Sequence, residues 1–313
     1  MSVPLAHVVR NDFVESVHHG SAVVLDAAGN IVWSRGDVTS HIFPRSSNKL
    51  MQGLAMVQNK LPLKDRLLAL ACASHSGEQI HIDGVHSILN GANLDVDSLQ
   101  CPADFPLDDT VRDSLLAAGI EKSPLFMNCS GKHAAMLFTC VLNGWDTANY
   151  LDPQHPLQIA CKNTLEACTG EAVNHVGVDG CGAPLMSTSL VGLARSFSQF
   201  SGPAANADQH KISDAIRSHP EYLSGTRRDD CDLMRGVPGL VAKIGAEAVY
   251  GIGLGDGRSL AIKIDDGADR ARVVVAAAIL KDVLGVVAQV VDQQLSLPVY
   301  GGGRQVGYVR ATL

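Results

Sequence analysis

The tetrapeptide Ser46-Ser47-Asn48-Lys49 sets a hydroxyl three residues ahead of an amine. At a helix start that spacing is nearly one turn, so the Lys49 amine stands beside the Ser46 hydroxyl. A low-dielectric setting favours a neutral amine, which can take the proton of an attacking serine. The plainer alternative is a capping serine with a solvated lysine on the same face. A second lysine lies in Lys243-Ile244-Gly245, on a predicted strand near the C-terminus. Its charge suits a substrate carboxylate or the activation of a second hydroxyl, and Gly245 would let substrate approach the backbone. An ordinary strand with an exposed lysine is the competing reading. Between the two, Ala73–His81 packs Ser74, His75, Ser76, Glu78 and His81 into nine residues. Either serine could be the second hydroxyl. Helix capping explains the serines at no functional cost but leaves His75, Glu78 and His81 without a structural task.

Two further segments combine cysteine with glycine. Asn128-Cys129-Ser130-Gly131-Lys132-His133 opens a predicted helix, and Gly177-Val178-Asp179-Gly180-Cys181-Gly182-Ala183-Pro184 is a tight loop before another. Thiolates in such loops can meet a soft divalent ion, and Lys132 and His133 place nitrogens within a turn of Cys129. No C-x-x-C or H-x-x-x-H pair exists, and on spacing alone small buried hydrophobes are the simpler account. Cys72, Cys140, Cys161 and Cys168 fall on apolar helix faces and read as packing. Cys101 and Cys231 lie in polar stretches and stay open.

The elements that must position these groups follow from periodicity. Ser21–Asp26, a turn at Ala27–Asn30 and Ile31–Ser34 predict a β-hairpin. Helices are predicted over Ser46–Asn59, Lys64–Ser74, Gln79–Leu89, Leu107–Ala118, Lys132–Leu142, His155–Thr169 and Pro184–Gln199. Ser201–Ala207 reads as a surface loop. Strands return at Leu240–Ile244, Ala246–Leu254 and Ser259–Ile264, paired antiparallel, followed by an apolar helix Arg270–Val291 and a glycine-rich turn at Gly301–Gly303. The expectation is an α+β chain: an antiparallel sheet lobe from residues 1–45 and 239–313, flanked by helices, with a mainly helical lobe, 46–238, inserted.

Composition sets the frame. The 313 residues are 46% hydrophobic and 18% charged with a net charge of −7, which excludes disorder and gives no electrostatic footprint for nucleic acid. Eight cysteines in so long and apolar a chain point to free thiols or metal thiolates rather than a disulfide framework. The first residues lack a secretory pattern and no window is apolar enough to span a bilayer, so a soluble, cytoplasmic protein is expected.

Lys243-Ile244-Gly245 is close to the K-T-G that partners S-x-x-K in serine β-lactamases and penicillin-binding proteins. Taken together, Val14–Gly20, Pro44–Lys49, Ala73–Glu78, Asn128–His133, Asp179–Pro184, Lys243–Glu247 and Ile262–Gly267 resemble, in order, the motifs of the L-asparaginase II family of rhizobial type. The resemblance implies a fold akin to serine β-lactamases and glutaminases, a homodimer, and hydrolysis of L-asparagine to L-aspartate and ammonia. It implies the Ser–Lys pairs Ser46 with Lys49 and Ser74 with Lys243, and a zinc ion held by Cys129, Lys132 and Cys181 with Asp179 close by. Arg45, Glu78, His81, Asp179, Gly245, Glu15 and His18 are the substrate-side candidates. Two departures stand out: Ala248 where the family usually continues with glycine, and Ile244 in place of threonine. Both would bear on substrate affinity.

Overall fold

The computed structural model describes residues 1–313. Met1–Ser47, Thr188–Ala204 and Asp232–Leu313 form one compact unit, and Asn48–Ser187 with Ala205–Cys231 form a second. The strands in chain order are β1 (Val3–Arg10), β2 (Phe13–Leu25), β3 (Ile31–Arg35), β4 (His41–Ile42), β5 (Val176–Val178), β6 (Pro184–Met186), β7 (Thr188–Ser189), β8 (Val241–Gly245), β9 (Val249–Gly253), β10 (Ser259–Ile264), β11 (Ser296–Gly301) and β12 (Arg304–Ala311).

In the first unit, β11-β12-β1-β2-β10-β9-β8 make one antiparallel sheet, with β3 pairing back onto β2. Both chain ends build it, as the sequence predicts. Tyr250 on β9 stacks against the guanidinium of Arg272, which lies in the helix Asp269–Ala278. The next residue, Gly251, faces the other way, and a Cβ there would lie 2.1 Å from the ring of Phe197 in the helix Leu190–Ser201. Alternation along a strand therefore puts one helix on each face of the sheet. Covered on both faces, β8 and β9 are buried throughout, which is why they read as apolar runs rather than alternating ones. This packing also explains why Thr188–Ala204 belongs with the sheet.

Several boundaries differ from those predicted. The stretch Pro184–Gln199 begins as β6 and β7 and turns helical only at Leu190. The predicted helix Arg270–Val291 is broken: a π-helical turn at Ile279–Val283 ends at Gly285, whose φ of 69° is left-handed, and a short helix resumes at Gln289–Gln294. β1 and β11–β12, with the helix Ala207–Ser218, were not expected.

The second unit is a helical cluster around Ser130–Asn143, whose residues from Ser130 to Cys140 are all buried. A helix buried on every side must be surrounded. It packs among Gln79–Gly91, Asp65–Ala71, Lys49–Gln58 and Pro156–Thr169. A small hairpin of β5 and β6 completes the unit. No helix is long and apolar enough to cross a membrane.

Candidate active site

Ser46 does not begin an α-helix. Arg45–Asn48 form a 3-10 turn entered through a left-handed Arg45 (φ 52°), and the α-helix starts at Lys49 without a side-chain cap. The hydroxyl of Ser47 donates to Pro44 O at 2.6 Å, while Ser46 stays partly exposed. Gly245 explains the turn's placement: a Cβ there would lie 2.4 Å from Pro44 O and 3.2 Å from Ser47 N. The glycine of Lys-x-Gly makes room for the protein's own Ser46 turn rather than for a ligand.

Lys49 is 1% exposed in the second unit. Its Nζ lies 2.6 Å from Ala73 O, 2.9 Å from Ser74 Oγ and 2.9 Å from Cys129 Sγ. A buried ammonium or amine needs such partners, and here they are a carbonyl, the second candidate hydroxyl and a candidate metal ligand. Ser74 is thus the hydroxyl of its cluster that reaches a lysine within this unit; Ser76 Oγ donates to Ser224 O at 2.8 Å.

Cys129 sits at the start of the Ser130–Asn143 helix, and Cys181 on the turn between β5 and β6. That turn is closed by Gly182 N to Asp179 O at 2.8 Å and Asp179 N to Ala183 O at 2.9 Å, with Gly182 left-handed. Two segments 52 residues apart in sequence thereby present their thiols to each other. The hydrogen bond from Cys129 holds Cys181 far below the ordinary thiol range, aided by Lys132 and against the effect of burial. The same bond, with burial, pushes Cys129 up. Burial works against the charge on Lys132, but Cys181 and Cys129 outweigh it and carry its pKa upward; its Nζ lies 3.2 Å from Cys181 Sγ. Cys129, Cys181 and Lys132 are all buried side by side.

Hydrogen bonds define the next layer. Gln100 N donates to Tyr150 Oη at 3.2 Å, and Tyr150 Oη is hydrogen-bonded to His133 Nδ1 at 2.7 Å. His133 also interacts with Cys181 and helps lower its pKa. Burial and Lys132 lower His133 to about 4. The donor chemistry suits a borderline-soft divalent ion, with two sulfurs and an amine. No group of three His, Cys, Asp or Glu side chains surrounds a common point; the third donor that the family resemblance implies is Lys132.

The other cysteines separate from this pair. Burial pushes Cys140 and Cys161 to about 12 and Cys168 to about 11. Cys101 and Cys231 are buried rather than exposed in polar loops, and burial takes Cys101 to about 11. All eight are free thiols.

Several substrate-side candidates are occupied by the protein itself. Both Glu78 oxygens accept from Thr226, from its N at 2.8 Å and its Oγ1 at 2.9 Å, and His81 Nε2 donates to Glu221 O at 2.8 Å. Glu15 pairs with Arg10 at 3.0 Å on the sheet surface. His18 donates from Nδ1 to Asp266 at 2.6 Å and accepts at Nε2 from Arg270 at 3.1 Å. All four are hydrogen-bonded within the protein. Arg45 remains partly exposed, 4.0 Å from Glu247. Asp179 is half-buried on the hairpin turn, its carboxylate accepting from Gly180 N. Lys243 is 1% exposed, its Nζ 3.0 Å from Ile244 O. Sequence reasoning missed Tyr150 and His133's link to it, because residues 17 apart in the chain carry no spacing signal.

A lysine amine on a serine hydroxyl in a water-poor pocket is the equipment of a nucleophilic hydrolase. The chain belongs to the L-asparaginase II family, whose profile matches residues 6–311, and is on that footing an amidohydrolase. A search of curated proteins returned no significant match. Among solved structures the chain is similar to a beta-lactamase from Mycobacterium bovis, with a TM-score of 0.47, 13% identity, and coverage of 84% of this chain and 94% of that one. It is also similar to Mglu in its native form, with a TM-score of 0.38, 10% identity, and coverage of 85% of this chain and 61% of that one. Both overlaps are loose, so the architecture rests on the protein's own sheet and helices.

Proposed function

We propose that the protein hydrolyses the side-chain amide of L-asparagine, giving L-aspartate and ammonia, through an acyl-enzyme on Ser46. Lys49, three residues on in the chain, takes the Ser46 proton as Oγ attacks the amide carbon, and returns it to the departing nitrogen so that ammonia leaves. A water then splits the ester. Ser74, hydrogen-bonded to Lys49, relays protons to and from it, and Lys243 is the second lysine of the proposed machinery. Arg45 is the candidate for the substrate α-carboxylate. The observation that carries the reading is the fully buried Lys49 amine 2.9 Å from Ser74 Oγ, in a chain of an asparaginase family.

Cys129, Lys132 and Cys181 would hold zinc. When bound, the ion supplies a fixed positive charge at which the α-amino or α-carboxylate group of the substrate is oriented. A homodimer is the proposed assembly.

Ammonia release from asparagine, glutamine and a chromogenic β-lactam tests the substrate. Asparagine turnover well above the other two, abolished in Ser46→Ala, supports the reading. Faster glutamine turnover would make the protein a glutaminase. Activity retained in Ser46→Ala but lost with a chelator would move the nucleophile to a metal-bound water, and tight asparagine binding without ammonia would make it a binding protein.

A further inference from the structure

Ser74 is held from behind. Its backbone N donates to Leu223 O at 3.0 Å, so the strap Glu221–Arg227 forms the wall against which Ser74 rests. That strap is pinned along its length to one short segment of sequence. Ser76 Oγ donates to Ser224 O at 2.8 Å, and His81 Nε2 to Glu221 O at 2.8 Å. Glu78 takes both the amide and the hydroxyl of Thr226. The guanidinium of Arg227 pairs with Asp108, whose own N donates to Ser76 O at 3.1 Å. Between the pins, Gly225 has φ 146°, and a Cβ there would lie 2.0 Å from Ser76 Oγ and 2.9 Å from Glu78 Oε1. The close approach needs glycine.

We propose that Glu78 is a positioning residue: by holding Thr226 with both carboxylate oxygens it fixes the strap, and through Leu223 O it fixes Ser74 against Lys49. The proposal rests on the reading of Lys49 and Ser74 as catalytic machinery. Asp108 also clasps two donors of one strap residue, the Arg227 guanidinium, but Glu78 is the pin whose carboxylate takes a backbone N–H of the strap together with a side chain. The other hydrogen bonds to the strap's backbone accept at a carbonyl with one donor each, whereas the carboxylate satisfies two donors of one residue and so sets its orientation as well as its distance. The cluster Ser74–His81 is in this light one device, a hydroxyl followed by the clamp that places it.

The experiment compares Glu78→Ala, Glu78→Gln and Thr226→Ser with the wild type in full-length protein, by steady-state kinetics on asparagine and by hydrogen exchange. Glu78→Ala should lower kcat by roughly tenfold to a hundredfold with KM changed less than about threefold, since a misplaced reacting group costs rate rather than ground-state binding. Its amide exchange at residues 73–77 and 221–227 should quicken by about tenfold or more. Glu78→Gln keeps an acceptor, and Thr226→Ser keeps both donors, so both should recover most of the rate and of the protection. Wild-type exchange and kcat in Glu78→Ala would overturn the proposal. A raised KM with unchanged exchange would overturn it too, making Glu78 a substrate contact. If the wild type hydrolyses no amide, the functional reading falls, and the exchange arm still decides whether Glu78 holds Ser74.

Discussion

Two sets of motif residues, one on the sheet unit and one inside the helical unit, are built on opposite terms. On the sheet, Arg10, Glu15, His18, Asp266 and Arg270 pair with one another, with Asp266 half exposed. Water screens the exposed Arg10–Glu15 pair, which is worth on the order of 0–1 kcal/mol. In the helical unit, Lys49, Cys129, Lys132, His133 and Cys181 are each at most 3% exposed. There every charge or lone pair must be answered by a neighbour, because removing one partner of a buried pair leaves an uncompensated charge. The sequence motifs look alike in polarity. What distinguishes them is dielectric: only the buried set can hold an amine against a hydroxyl, or a thiolate against an ammonium, without water between.

The contrast is broken or sharpened by experiments of decreasing size. Ser46→Ala and Lys49→Met should each lower kcat for amide hydrolysis by roughly a thousandfold or more, whereas Asp266→Asn should change it by less than about threefold. Equal losses in steady-state assays would erase the distinction.

Metal uptake comes next. Cys129 and Lys132 are both held above their ordinary pKa and so are protonated near neutrality; a divalent ion must displace both protons. Zinc affinity should rise by up to about a hundredfold per pH unit, fall correspondingly on acidification, and be lost in Cys181→Ser. Chelator competition between pH 6.5 and about 8 measures it. A pH-independent affinity would remove these two groups from the ligand set.

Acid stability separates the regions thermodynamically. Burial lowers the pKa of His75, His81 and His133 in the fold, the last to about 4. Below about 6.5 the unfolded chain takes up protons that the folded chain refuses, so stability is full above that pH and falls as pH drops. The slope is about 1.4 kcal/mol per pH unit for each imidazole, continuing for His133 to its folded value. Partial burial works against Asp266, but the Ala268 amide and His18 keep its carboxyl low. Its contribution is present above the ordinary carboxylate range and is lost only at more acid pH. Denaturant unfolding from pH 7 to about 4.5, followed by hydrogen exchange, should therefore show the helical unit losing protection first.

Within the sheet unit the largest effect is steric. Gly251→Ala would force the Phe197 ring aside and should cost about 1–3 kcal/mol by thermal unfolding. The smallest is Ala248→Gly. Glu247 and Ala248 are both left-handed in the three-residue connection between Gly245 and Val249, and Ala248 is fully buried. Relief of about 1–2 kcal/mol of strain is offset by a lost methyl of about 0.8 and by the entropy of glycine, so the net should stay within about 1 kcal/mol. The departure at Ala248 thus concerns the hairpin between β8 and β9.

Much of the fold was legible because it is local. The hairpin of β2 and β3, the strands β8 to β10 and most helices announce themselves by period and by turn residues. The failures share a cause. β1, β11 and β12 are held by pairing between the two ends of the chain, as in Ala6 with Ala311, and no window contains both partners. Val273–Val287 is apolar but for Lys281, Asp282 and Gly285, and the helix ends at the left-handed Gly285.

The same division runs through the site. The sequence by itself determined which groups are available: the order and type of Ser46, Lys49, Ser74, Cys129, Lys132, Cys181 and Lys243, and the family they mark. Tertiary structure alone decided which of them act on each other. It gave Lys49 to Ser74 and Cys129, paired Cys181 with Lys132, and bonded Glu78, His81, Glu15 and His18 within the protein. The reason is physical: residue type fixes what a group can donate or accept, but burial and distance, which set its pKa and its partners, exist only once distant segments have packed.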